Sequence, residues 1–210
     1  MFPSLYAILD PDLSPLPVGD LAAQLAEAGV ELLQLRGKKN SPSEILARAK
    51  ELTALLVPKG IRFILNDRAD IAVMAGSSGV HVGQQDLPAE QARSICGPSR
   101  WVGVSTHNLD QLHLADRTSA DYIAIGPIFP TTTKENPDPV VGLDFIRAAR
   151  QMTRKPLVAI GGITLESAAD VYRAGADSLA IIRDLIAAND PAGRAKQFLA
   201  VAEECRQRRL

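Results

Sequence analysis

Two aspartates and a group of cations pose the chemical problem of this chain. Gln34, Arg36, Lys38 and Lys39 end or follow one apolar run, Asn66 and Asp67 a second, and Gln84, Gln85 and Asp86 a third. Ser105, Thr106 and His107 close a fourth. Tyr122 to Gly142, YIAIGPIFPTTTKENPDPVVG, opens as a buried strand and breaks at Gly126-Pro127. It carries Thr131, Thr132, Thr133 and Lys134 before helical spacing returns near Leu143. Connections longer than about 12–15 residues are uncommon in compact domains and are usually lids or binding loops, so Phe129 to Val141 is expected to cover a ligand. Arginine and lysines opposite two carboxylates form an odd mixture for a simple anion site. The mixture makes sense if a divalent cation bridges Asp67 and Asp86 to a diphosphate, because magnesium takes one or two carboxylates and fills its shell with phosphate oxygens and water. Gly161-Gly162 before Ile163-Thr164 reads as a strand-to-helix turn whose amides attract a phosphate. A diphosphate site and a separate monophosphate site suit a transferase joining two phosphorylated substrates better than an isomerase.

Each residue also has a plainer reading. Asp67 can cap the helix that follows it, as aspartate often does. Asp86 is less suited to that task, since Pro88 at a first helical position would make Leu87 the cap. Arg36 and Lys38 can be a solvated loop. Against that, alternation along Val30 to Arg36 places Gln34 and Arg36 on one face, opposite Leu33 and Leu35. His81 is expected to be a hydrogen-bonded core residue. His107 and His113 lack partners at metal spacing, which argues against a histidine zinc site. Arg183 is either a surface arginine at a helix start or a guanidinium that reaches the monophosphate.

These residues need a scaffold, and the apolar pattern supplies one. Strand-like runs fall at Leu5–Leu9, 30–35, 61–65, 80–83, 101–105, 123–125, 157–160 and 178–182, and segments of helical spacing separate them. Near-continuous apolar strands indicate burial on both faces, as in parallel sheets. AGVELLQL (28–35), SGVHVG (78–83), SADYIAIG (119–126) and AGADSLAI (174–181) form a weak repeat. Eight such units in 210 residues predict an α/β TIM barrel, with one domain over 1–210 and the site at the C-terminal ends of the strands. A doubly wound sheet is the alternative, but no GxGxxG follows the first strand. A net charge of −1 argues against nucleic-acid and membrane-surface partners. No secretory signal or membrane span is read, and Cys96 and Cys205 lack pairing or metal spacing, which fits a reduced, cytoplasmic setting.

The motifs QLRGK (34–38), ND (66–67), HVGQQD (81–86), GVSTH (103–107), GPIFPTTTK (126–134) and AIGGI (159–163) together resemble the thiamine phosphate synthase family over nearly the whole chain. The resemblance implies a barrel that joins an aminopyrimidine-methyl diphosphate to a thiazole monophosphate with release of pyrophosphate, and with loss of carbon dioxide too where the thiazole carries a carboxylate. It implies that Gln34, Arg36, Lys38 and Asn66 hold the pyrimidine diphosphate, with Ser105 and Lys134 in contact with it. Asp67 and Asp86 would bind Mg2+, and Thr131 and Thr133 would meet the thiazole substrate. Gly162, Ile182 and Arg183 would cradle its phosphate. Arg36, Lys38, Ser105 and Lys134 are the expected catalytic set. Gly37, Gln85 and Arg183 depart from the residues usual at those positions. Partners are then the two small-molecule substrates, with a homo-oligomer compatible with the chain. A thiazole tautomerase on the same scaffold and a non-catalytic phosphate-binding barrel are the rivals; the first lacks the paired aspartates.

Overall fold

In the computed structural model, which describes residues 1–133 and 138–208, eight strands pair in chain order and the last closes on the first. They are β1 (Leu5–Leu9), β2 (Leu32–Leu35), β3 (Arg62–Asn66), β4 (Gly79–Val82), β5 (Trp101–Thr106), β6 (Tyr122–Ile125), β7 (Leu157–Ile160) and β8 (Ser178–Ile181). Every pairing is parallel. Between them run α1 (Val18–Glu27), α2 (Pro42–Leu56), α3 (Ala69–Ala75), α4 (Ala89–Cys96), α5 (Leu109–Asp116), α6 (Gly142–Met152) and α7 (Leu165–Ala174). After β8 come the short α8 (Arg183–Ile186) and α9 (Pro191–Gln207). The expected TIM barrel is therefore present. The open-sheet alternative fails because β1 pairs with both β2 and β8. Among the described residues no helix is long and apolar enough to cross a membrane.

The strand period of two divides the core. Leu5, Ala7, Leu9, Leu33, Leu35, Phe63 and Leu65 point outward and pack against the helices. Tyr6, Ile8, Leu32, Ile64, Tyr122, Ala124, Val158 and Ala180 fill the interior. The sequence repeat has a physical basis. Ser78 Oγ accepts the amide of Phe63 at 3.1 Å, Asp121 that of Val102 at 2.7 Å, and Asp177 that of Leu157 at 2.8 Å. In each case the polar residue before a strand caps an amide of the preceding strand, which fixes the register of neighbours.

Helix starts follow local chemistry. Ser41 and Glu44 form a reciprocal capping box at α2, Asn108 accepts from Gln111 at α5, and Asp190 accepts from Gly193 at α9. Two boundaries differ from expectation. Gly29 adopts a left-handed φ of 96°, and the Val30 amide returns to Leu25 O at 3.0 Å. Val30 thus belongs to the turn and β2 begins at Leu32. Pro88 has the extended ψ of 149° and is itself the cap, so α4 begins at Ala89 and Leu87 is not the capping residue.

Candidate active site

A cavity of about 960 Å³ opens at the C-terminal ends of the strands. Gln34, Arg36, Lys38, Asn66, Asp67, Asp86, Ser105, Thr131, Thr133, Gly162, Ile182 and Arg183 all line it. Residues widely separated in sequence therefore meet in one place. Lys134 lies outside the described residues.

The two acids come from the turns after β3 and β4. Asp67 has a φ of 62°, the one positive value at a non-glycine position among the described residues. Its amide donates to His81 O at 2.7 Å, which ties the turn to the neighbouring strand. The helix cap there is Arg68, without a side-chain capping bond, so Asp67 is not performing the capping role. Its carboxylate faces Lys38 Nζ at 2.5 Å. Burial raises the Asp67 pKa above the ordinary carboxylate range, and the adjacent Asp86 carboxylate pushes it the same way, against Lys38. Asp86 accepts the Gly83 amide at 2.7 Å. Two hard oxygen donors held together suit Mg2+. Among the described residues no cluster of three or more His, Cys, Asp or Glu side chains is arranged to hold a metal. An ion at these acids would therefore complete its shell with substrate or water oxygens.

Arg36 is anchored by a residue that motif reading passes over. It pairs with Asp10, at the end of β1, whose side chain is 2% exposed. Asp10 also accepts the Asp12 amide at 3.0 Å, so the acid is fixed before it meets the guanidinium. The signal in the sequence was an acid directly after an apolar run, but nothing there identified its partner.

Below the charged rim the cavity floor is uncharged. Tyr6, Ile8, Gln34, His81, Ser105 and Ala124 line it. His81 is hydrogen-bonded through both ring nitrogens, to Tyr122 and Ser105, as a core histidine should be. Burial pushes its pKa down to about 4, only partly opposed by Asp86, so the ring is neutral near pH 7. Burial likewise raises the Tyr6 and Tyr122 phenols above their usual range. Tyr6, Tyr122 and Asp10 are among the residues in or bracing the site that the motifs did not single out.

The opposite wall joins the start of the lid to the loops after β7 and β8. Ile128 N donates to Ile160 O at 2.9 Å and Phe129 N to Gly161 O at 3.0 Å. A Cβ at Gly161 would strike Pro127, and one at Gly162 would strike the Phe129–Pro130 backbone. The glycine pair thus has a packing cause beside the phosphate-turn reading. Arg183 is exposed yet directed across the mouth, with Nε donating to Thr133 Oγ1 at 3.2 Å and a terminal nitrogen donating to Thr132 O at 3.3 Å. Arg194, from α9, adds a second guanidinium to this wall, 3.9 Å from Asp184.

Comparison with known proteins agrees with this geometry. A family model described as thiamine monophosphate synthase matches residues 5–185. The thiamine-phosphate synthase of Koribacter versatilis is 53% identical over 204 residues, covering 95% of both chains. That of Shouchella clausii is 39% identical over 204 residues, covering 97% of this chain and 98% of its own. The solved thiamine phosphate pyrophosphorylase of Pyrococcus furiosus superposes with a TM-score of 0.88 at 30% identity, covering 96% of each chain. With barrel, cavity and sequence in agreement, the chain belongs to the thiamine monophosphate synthase family.

Proposed function

We propose that this protein makes thiamine phosphate in thiamine biosynthesis, by joining an aminopyrimidine-methyl diphosphate to a thiazole phosphate or its carboxylate and releasing pyrophosphate, with loss of carbon dioxide as well where the thiazole carries the carboxylate. The observation that carries the reading is the meeting of Asp67 and Asp86 with Arg36 and Lys38 in one cavity. An isomerase acting on a thiazole phosphate alone would have no use for that carboxylate pair.

The reaction needs little from a base or a nucleophile. Loss of the diphosphate leaves a pyrimidine-methyl cation stabilised by its own ring amino group, and the thiazole nitrogen then forms the new C–N bond. The protein must stabilise charge growing on the leaving group, and preorganised cations do this well in a site shielded from water. Arg36, braced by Asp10, and Lys38, held beside Asp67, would take that role. Asp67 and Asp86 would hold Mg2+, which when bound neutralises phosphate charge as a Lewis acid. Thr131 and Thr133 would meet the thiazole, with Gly162, Ile182 and Arg183 around its phosphate. Lys134 would add a cation from the lid, which would also keep water from the carbocation.

The test is pyrophosphate release with the pyrimidine diphosphate, the thiazole phosphate and Mg2+ each withheld in turn. Release that requires all three is the expected result. Release without the thiazole substrate would indicate a hydrolase, and binding without any release would indicate a phosphate-binding barrel.

A further inference from the structure

The turn after β7 has less to offer an anion than its glycines suggest. The Thr164 amide donates to Ser167 Oγ at 3.0 Å, and the amide of Leu165, the first residue of α7, donates to Asp184 Oδ2 at 3.1 Å. The protein's own side chains thus occupy the start of that helix. The amides of Gly162 and Ile163, just before it, have no partner among the described residues. A phosphate monoester carries close to two negative charges near pH 7, and neutral amides leave most of that charge unmatched. Arg183 supplies one cation, but two of its donors are already directed at Thr133 and Thr132.

Arg194 is differently placed. It lines the same cavity from the start of α9, where a cation works against the helix dipole and so does nothing for the helix itself. Its guanidinium is 3.9 Å from Asp184 Oδ2, longer than a hydrogen bond. The Glu166 carboxyl, held below the ordinary carboxylate range chiefly by Thr164, also feels Arg194. Among the described residues the Arg194 side chain donates no hydrogen bond. The two acids therefore keep the guanidinium at the wall while its donors stay unspent. The far side of the mouth offers a parallel. Asp10, after β1, accepts the Asp12 amide and holds Arg36 at the cavity. Asp184, after β8, accepts the Leu165 amide and faces Arg194. The neighbouring strands β1 and β8 thus each lead to an acid anchored on backbone and facing a cavity-lining arginine.

We propose that Arg194 is a binding residue for the monophosphate of the thiazole substrate and of the product, and that it sets the preference for the phosphorylated form. The inference rests on the thiazole-phosphate reading of this wall. It adds a guanidinium from α9 that no motif marks, and it moves the charge recognition from the helix start to that side chain. Arg183 then joins the lid to the wall, whereas Arg194 meets the phosphate with donors that nothing else uses.

Calorimetric titration with thiamine phosphate and with thiamine, which lacks the phosphate, tests the assignment without turnover. Arg194→Met is expected to reduce the preference for thiamine phosphate over thiamine by about 10- to 100-fold, the worth of hydrogen bonds to a charged group. Arg194→Lys should lose less, since it keeps the charge without the fork of donors. In steady state the same Met variant should raise KM for the thiazole phosphate by a similar factor, with KM for the pyrimidine diphosphate and kcat unchanged. An unchanged preference would overturn the proposal, whatever happens to the melting temperature. So would equal weakening of both ligands, the mark of an ion pair with a structural role only. Failure of the unmodified protein to bind thiamine phosphate would overturn the thiazole-phosphate reading together with this one, whereas binding that ignores Arg194 would overturn this one alone.

Discussion

The two ends of the barrel use the same side chains in opposite ways. At the N-terminal end, Arg93 donates to the carbonyls of Gly97, Arg100 and Ser119 and pairs with Asp121, which itself caps the Val102 amide. Arg150 repeats the device with Asp177 and the carbonyls of Thr153 and Lys155. Lys155 closes on Thr118 O and Ala115 O. The donors are directed at backbone, and the acids at both backbone and cation. At the C-terminal end, Lys38 and Arg36 meet carboxylates while lining an open cavity, and Asp86 sits close enough to Asp67 to oppose the ionisation of Asp67. Saturated charge clusters hold a fold together. Clusters that leave capacity facing a cavity are free to act on a ligand.

Variants at the two ends should therefore separate activity from stability. The largest effect is expected at the acids. Asp67→Asn or Asp86→Asn should lower the rate of pyrophosphate release by about 100-fold or more, with a melting temperature close to that of the unmodified protein. Substantial turnover by either variant in chelator-treated, magnesium-free solution would break the comparison at its active end. Between the ends lies His81, whose folded pKa of about 4 is below the ordinary value of about 6.5. Protonation then favours the unfolded chain. Stability is fully present above pH 6.5 and is lost as the pH falls towards 4, by on the order of 3 kcal/mol. Urea midpoints across that range should show a loss that His81→Gln reduces. At the opposite end, Arg93→Ala should lower unfolding free energy by about 2 kcal/mol, through carbonyls left without donors, and leave kcat/KM unchanged. The smallest stability effect belongs to Lys38→Ala, about 1 kcal/mol or less for an exposed pair, accompanied by a clear fall in turnover. If Arg93→Ala removed activity and Lys38→Ala did not, the division of labour would be reversed.

The sequence carried the scaffold in its periodicity. Apolar runs buried on two faces, separated by helical spacing, marked all eight strands, and alternation placed Gln34 and Arg36 on the interior face. The charged residues of the mouth were visible because they cluster immediately after strands. What stayed hidden was pairing between distant positions. Tyr6 and Tyr122 are 116 residues apart, and each looks like an ordinary core aromatic in its own strand. Asp10 gave no sign that it would brace Arg36. The short α8 was legible only as a helix start at Arg183, because four residues cannot display a helical period. The glycine pair after β7 was visible as a turn, but the approach of Pro127 and Phe129 that requires it depends on closure of the barrel.

The left-handed backbone at Asp67 restricts which amino acids the protein can recruit there. Glycine, asparagine and aspartate tolerate such a conformation; β-branched and bulky residues do so poorly. Of the tolerant three, only aspartate carries a charge, so the turn narrows the choice of acid independently of any ion. Asp86 has no such restriction. Exchange to glutamate should therefore be easier to accommodate at 86 than at 67, and the two acids, alike in charge, differ in how freely the sequence can drift around them.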